Sequence, residues 1–394
     1  MGCSASIDSG DALRQNVLKR YMRPLGERPY RGLVGVGGIG WGLLFELCGD
    51  RTLGRNESRP ARMLDCRDYC KLHIVAHNVA ILMGAPRSSG FHVLPVGKVG
   101  RDSRGAKLLE EMSRAGMDLS CVDVAGGRPT TLSICFQYPD GSGGNITSIE
   151  SASMAVMPED VDRAEARLLP QPSGYVAMAL PEVPLETRFH FLRSARSWGC
   201  FTVASFASAE MEAALASGVM ECVDLLAVNQ EELAALVGRN VEPADSGTAL
   251  DACAALLSGF QPGIRIVVTM GAHGAFAGDN GTWQHCPALP VAPVSTAGAG
   301  DALLAGVISG LAVGAPLAAG GTGQSIRERP IRSALEFGVL VAGLKITSRH
   351  TINPDLNVDS LLELAAEHGI ALAGALADAI HLPGREACPT GNNL

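Results

Sequence analysis

Aromatic residues are scarce in this chain of 394 residues: Phe, Trp and Tyr together make up 5%. No uninterrupted apolar run approaches the roughly 18 residues of a membrane-spanning helix, which argues against a transmembrane helix. No block of Lys and Arg, and none of Asp and Glu, is long enough to read as a charged tail. The net charge of −8 argues against nucleic acid or an anionic membrane surface as a partner. Residues 1–30 lack the basic-then-apolar order of a secretory signal. A disulfide framework is missing too: the 11 cysteines are odd in number and mostly isolated in apolar runs, whereas a secreted scaffold is shorter and denser in cysteine. Together these absences predict a reducing, cytoplasmic setting. One counter-signal is Met1-Gly2-Cys3-Ser4-Ala5-Ser6, which fits N-myristoylation beside a palmitoylatable cysteine; chance in a short polar leader is the simpler account.

What is present is 47% hydrophobic residue, dominated by Ala, Leu and Val alongside 47 glycines. That is the composition of an α/β enzyme with Val/Leu strands and Ala-rich helices. Apolar strand candidates lie at 32–47, 91–96, 121–125, 131–138, 174–179, 200–205, 223–228, 264–270 and 274–277. Helical spacing fills 69–84, 103–116, 158–168, 185–198, 209–217, 230–237, 247–259, 300–313, 331–348 and 358–373. Alternation of this kind predicts a doubly wound, mostly parallel sheet with helices on both faces. Two segments depart from it. The polar, Arg-rich stretch 49–68 reads as an excursion from the core, and Pro-Asp-Gly-Ser-Gly-Gly at 139–144 reads as a hairpin turn. Segments 45–68 and 119–151 are therefore expected to form a small β lid on a domain spanning 31–375. A flexible leader (1–30) and tail (376–394) flank it, and 314–330 is expected to be a loop.

The chemistry concentrates at Ser295-Thr296-Ala297-Gly298-Ala299-Gly300-Asp301, which runs straight into a helix of small and apolar residues. Such a turn offers backbone N–H groups, and the helix dipole adds positive potential. Both suit a phosphoryl group in transfer, glycine allows close approach, and an Asp at the helix start can accept a hydroxyl proton. An ordinary N-cap Asp is the bland alternative. The segment closely resembles the second signature of the ribokinase-like (PfkB) carbohydrate kinase family, Asp-Thr-Thr-Gly-Ala-Gly-Asp, with Ser295 and Ala297 as departures. Other segments resemble the family in order: Val96 to Gly105, Asn229-Gln230-Glu231-Glu232, and Val268-Thr269-Met270-Gly271-Ala272-His273-Gly274.

The resemblance implies an ATP- and Mg²⁺-dependent kinase with Asp301 as base and an anion hole at Gly298, Ala299 and Gly300. Nucleotide and phosphate contacts would fall on Asn229, Glu232, Thr269, Gly271, Gly274 and Thr296, with Glu232 acting on Mg²⁺ through water. A monovalent cation is a further candidate cofactor, its contacts weakened at Ser295 and Ala297. His350-Thr351-Ile352-Asn353-Pro354-Asp355-Leu356 resembles the C-terminal segment of pseudouridine kinases within this family, which implies a nucleoside-like acceptor and places Asn353 beside the adenine. The expected partner is a small-molecule acceptor, without nucleic acid or membrane, and a homodimer is the candidate assembly. A catalytically altered relative that binds a metabolite in a regulatory role is the competing reading.

Its motive is the acceptor side, where the resemblance fails. The family's first strand usually ends in an Asp that grips acceptor hydroxyls; here Gly42 stands about there. The place of Gly-Gly-x-x-x-Asn is taken by the stretch from Tyr69 to Asn78, which makes His73, His77 and Asn78 the acceptor candidates. Cys66, Cys70, His73 and His77 would share one helix face, yet four ligands along about 16 Å of helix cannot meet one ion. Gly35-Val36-Gly37-Gly38-Ile39-Gly40 fits the dinucleotide fingerprint, but no acidic strand end follows about 20 residues on.

Overall fold

The computed structural model describes residues 19–24, 30–86, 89–140, 142–168, 172–242, 246–279, 281–319 and 329–381. The acylation motif, most of the expected leader, the tail beyond 381 and much of the expected 314–330 loop lie outside them. Strands are β1 (Tyr21–Met22), β2 (Gly32–Val36), β3 (Gly40–Leu47), β4 (Ala61–Tyr69), β5 (His92–Gly100), β6 (Val122–Ala125), β7 (Thr131–Gln137), β8 (Gly143–Thr147), β9 (Tyr175–Ala179), β10 (Phe201–Ala204), β11 (Leu225–Asn229), β12 (Arg265–Thr269), β13 (Ala275–Asp279), β14 (Thr282–Cys286) and β15 (Ile380–His381). Helices are α1 (Lys71–Leu82), α2 (Ser103–Arg114), α3 (Pro158–Leu168), α4 (Leu185–Ser197), α5 (Met211–Ala216), α6 (Gln230–Val237), α7 (Ser246–Ser258), α8 (Ala299–Ala312), α9 (Ala334–Ile346), α10 (Val358–Glu367) and α11 (Ala375–Asp378).

Nine strands form the main sheet in the order β14-β13-β12-β11-β10-β9-β2-β5-β6. All neighbours from β12 to β6 are parallel, and β13 and β14 add an antiparallel edge. Leu33, Val93, Val176, Leu225 and Val267 join one core, whereas Val34, Leu94, Ala177, Leu226 and Val268 join the other. Burial on both faces is why these strands read as continuous Val/Leu runs rather than alternations. The doubly wound α/β fold expected from the sequence is the fold observed. On one face, α8 and α9 approach closely because a Cβ on Gly306 would lie 2.7 Å from the Gly338 Cα. Among the described residues no helix is long and apolar enough to cross a membrane.

A second sheet, ordered β4-β3-β7-β8, stands apart from the first. Strand β4 occupies the stretch read as a polar excursion. Only Asp65 and Asp68 of β4 are buried, so no apolar alternation betrays it. The fingerprint glycines lead from β2 into strand β3, not into a helix, which removes the dinucleotide-binding geometry. Cys66 lies on β4 and not on α1, so the Cys/His series does not share a helix face. At the chain ends, Tyr21 and Met22 pair with His381 and Ile380, and Met22 is only 1% exposed. Part of the expected leader and part of the expected tail are thus one small paired element.

Candidate functional site

The carboxyl ends of β9, β11 and β12 and the first turns of α1 and α8 converge at one place, where ligands sit in open α/β sheets. Gly298 is the N-cap of α8 with φ 77°, in the left-handed region. A Cβ there would lie 2.6 Å from Thr351 Cγ2 and 2.9 Å from the Thr351 carbonyl oxygen, so glycine is required twice over. The Ala299 N–H donates to the Thr296 carbonyl at 3.0 Å. Of the three amides expected to receive an anion, Gly300 and Asp301 remain, both in a first turn that leaves amides without an i−4 partner. Gly298→Ala should destabilise the protein by roughly 1–3 kcal/mol and weaken nucleotide binding at the distorted turn. Thermal melts with and without nucleotide check this; a variant indistinguishable from the parent would show that the turn accepts a side chain.

Asp301 lies in this first turn among charged neighbours. Burial pushes its carboxyl up to about 6; the Lys71 ammonium opposes this, Glu232 and Asp68 reinforce it, and Lys345 opposes it. Lys71 is the first residue of α1, and its Nζ stands 3.5 Å from Glu232 Oε1. Burial alone would depress the Lys71 ammonium, but Asp301, Glu232 and Glu182 together hold it above its ordinary value. Glu232 is held in turn by a reciprocal cap of α6: its N–H donates to Asn229 Oδ1 at 2.8 Å, and the Asn229 N–H donates to its Oε2 at 2.9 Å. The Asn-x-x-Glu pattern is therefore both an ordinary capping box and a device that presents Oε1 to the site.

Two cavities meet at this point. The smaller, about 80 Å³, is lined by Lys71, Asn229, Glu232, Thr269, Gly300 and Asp301. The larger, about 540 Å³, is lined by Thr269, Gly271, Gly274 and Thr296 together with apolar residues including Leu289 and Val339. Thr269, Gly300 and Leu303 belong to both. The arrangement is an apolar slot suited to a planar heterocycle, opening on a charged pocket at Asp301. The residues expected at the nucleotide thus converge, with one exception. Asn353 faces a different cleft, beside Val294 and Thr347. Its side-chain amide is used internally, donating to the Leu344 carbonyl at 3.0 Å and accepting from the Asp355 N–H at 3.0 Å.

The acceptor candidates fare differently. Gly42 pairs with Asp68 across β3 and β4, and a Cβ on Gly42 would lie 2.8 Å from Asp68 Oδ2. The Asp68 carboxylate therefore fills the space in front of Gly42, held by the Thr351 hydroxyl at 2.7 Å and the Cys135 thiol at 3.0 Å. His73, His77 and Asn78 line neither cavity. The helical period turns Lys71 toward Asp301 and carries position 73 about 200° round the axis, where its ring packs 4.6 Å from Tyr69.

Glu182 is the residue that sequence reasoning missed most completely. It is non-glycine yet has φ 76°, a strained backbone in a position that few side chains adopt. Its Oε2 accepts the Lys71 N–H at 3.1 Å. Burial raises its carboxyl to about 7, against the Cys70 thiol bond and Lys71, and with Asp301 adding to the rise. Only the proximity of Pro181 and Glu182 to the end of an apolar strand hinted at it.

The profile of the pfkB family carbohydrate kinases matches residues 76–357, well over half of the chain. The chain belongs to the pfkB carbohydrate kinase family. A deoxyribokinase from Salmonella typhi is 30% identical over 213 residues, covering 54% of this chain and 66% of the relative, just under two thirds. A ribokinase from Haemophilus influenzae is 23% identical over 261 residues, 66% of this chain and 77% of that one. Among solved structures, Giardia lamblia ribokinase has a TM-score of 0.64 at 15% identity, covering 84% of this pfkB-family chain and 99% of its own. Arabidopsis thaliana ribokinase, complexed with ribose and ATP, gives 0.61 at 18%, with 86% and 99% covered. Likenesses this distant in sequence attest to the fold. The family relationship supports ATP-dependent phosphoryl transfer in general and leaves the acceptor to be argued from the site.

Proposed function

We propose that this kinase transfers the γ-phosphoryl group of ATP to a hydroxyl of a sugar or nucleoside-like small molecule. The observation that carries the reading is the position of Asp301, in a pocket lined by Lys71, Glu232 and the first turn of α8 that shares Thr269, Gly300 and Leu303 with an apolar slot that fits adenine. The acceptor oxygen attacks the γ-phosphorus, its proton passes to an Asp301 carboxylate oxygen, and the bond from phosphorus to the bridging oxygen breaks to release ADP. The Gly300 and Asp301 amides and the Lys71 ammonium receive the charge that spreads over the transferring oxygens. Asp68 and Glu182 bring two further carboxylates into the electrostatic neighbourhood of Asp301 and would orient the other acceptor hydroxyls. They offer in place of Gly42, His73, His77 and Asn78 what the sugar-kinase pattern lacks.

The donor set fits Mg²⁺, which keeps several waters and takes most of its ligands from phosphate. Glu232 Oε2 is engaged by Asn229, so contact through water from Oε1 is the arrangement this residue supports. When bound, Mg²⁺ would neutralise phosphate charge. The four-stranded sheet would act as a lid that excludes water during transfer, and the expected setting is the cytoplasm.

The direct test is ADP release from MgATP across a panel of pentoses, deoxypentoses, hexoses and nucleosides. Acceptor-dependent turnover with one class is the expected result. ATP-dependent stabilisation with no turnover on any acceptor would instead favour a regulatory binding protein.

A further inference from the structure

Helix α9 is apolar along nearly its whole length, yet its last turn carries a lysine, Lys345, that is 0% exposed. Burying an ammonium is costly, and a Met or Leu of similar volume would suit this helix better unless the charge has a task. Lys345 Nζ donates to the Ser295 carbonyl oxygen at 2.9 Å. The next residue completes a clasp: the Ile346 carbonyl accepts the Val294 N–H at 2.8 Å and the Ser295 N–H at 3.3 Å. The end of α9 thereby grips the strand of chain that runs directly into the Thr296–Gly300 turn. Strand β4 and the 347–353 loop close the surroundings. Asp68 accepts from Thr351, and Asp65 pairs with His350 Nδ1 at 2.6 Å.

Burial depresses the Lys345 ammonium to about 8, while Asp68, Asp65 and Asp301 oppose the fall and keep it charged at neutral pH. Without Lys345, this place would hold a buried carbonyl oxygen in the field of three carboxylates. Such a place attracts a monovalent cation; with the ammonium present, like-charge repulsion excludes one.

We propose that Lys345 is a positioning residue for transfer at Asp301, a covalently held monocation that fixes the Ser295 carbonyl and the turn behind it, and replaces a soluble monovalent cation. The inference rests on reading the turn as the transfer centre, so its test includes a measurement that needs no turnover. The parent's melting temperature and kcat should be the same in potassium, ammonium, sodium and tetramethylammonium chloride at matched ionic strength. Lys345→Met should lower kcat roughly 100-fold, with a smaller change in acceptor KM, as loss of a transition-state contact does. Potassium or ammonium should then raise both its melting temperature and its kcat saturably, because a ligand that binds only the folded state stabilises it.

A Lys345→Met variant with parental kcat, or one whose melting temperature ignores potassium and ammonium, overturns the proposal. So does a parent whose melting temperature or kcat rises saturably with potassium, a result that requires no variant to fold. A parent that phosphorylates nothing, beside a Lys345→Met protein stabilised by potassium, would sink the kinase reading and leave the clasp standing.

Discussion

Asp301→Asn is expected to cut kcat/KM by roughly 10²–10⁴-fold while leaving the fold and ATP binding close to the parent's. Asparagine keeps the shape and the first-turn amides, so it removes the proton acceptor and little else. The pH profile supplies an independent reading. Burial raises the Asp301 carboxyl to about 6, and a base works only when ionised. Parent kcat/KM should therefore be level above that value and fall as pH drops through it. Glu182, raised to about 7, faces the same site, so the acid limb belongs to the pair. Asp68→Asn removes one of the charges that raise Asp301 and should move the limb to lower pH. Undiminished turnover of Asp301→Asn, or a parent profile flat from pH 5 to pH 8, would remove Asp301 from the role of base.

A second large effect is expected in stability. His73 is 0% exposed and neither of its ring nitrogens has a partner; His77 Nδ1 and both amide atoms of the adjacent Asn78 are likewise unpaired. Burial holds both imidazoles below their ordinary value, with the neighbouring ring adding to the effect at His73, and His77 falls to about 4. The unfolded chain, with imidazoles near 6.5, binds more protons at mildly acid pH than the folded one. The stability these residues support is complete above about 6.5 and is lost as pH falls toward 4. For His77 the shift corresponds to about 3 kcal/mol by linkage. Asp301 and Glu182, raised rather than lowered, act in the opposite sense over an overlapping window, so the comparison is between parent and variant. His77→Leu should lose less stability than the parent between pH 7.5 and pH 5 in denaturant titrations. Parallel profiles would show that His77 protonates without cost in the folded state.

The same histidines show why the acceptor side was hard to read. Polar residues in an apolar helix suggest a ligand, but a helix has several faces and only packing decides which meets the cavity. Lys71, two positions earlier, points to Asp301, whereas His73 turns into the core beside Tyr69. Strand β4 was hidden for a related reason, since its buried positions are the aspartates 65 and 68. Its pairing with β3 brings Asp68 opposite Gly42, so a carboxylate sought at one position came from another strand. Glu182 left no periodic trace because its place depends on a strained backbone just past a strand end.

By itself the sequence determined the α/β alternation, because burial on both sheet faces writes itself as unbroken Val/Leu runs. It also determined the small-residue turn before Asp301, because only glycine accepts the backbone that Gly298 adopts. These are local constraints, carried by neighbours in the chain. The tertiary structure decided the other charges around that turn besides Glu232. Asp68 with Lys71, Glu182 and Lys345 reach it from three distant stretches of chain, and Coulomb forces depend on distance in space rather than along the chain.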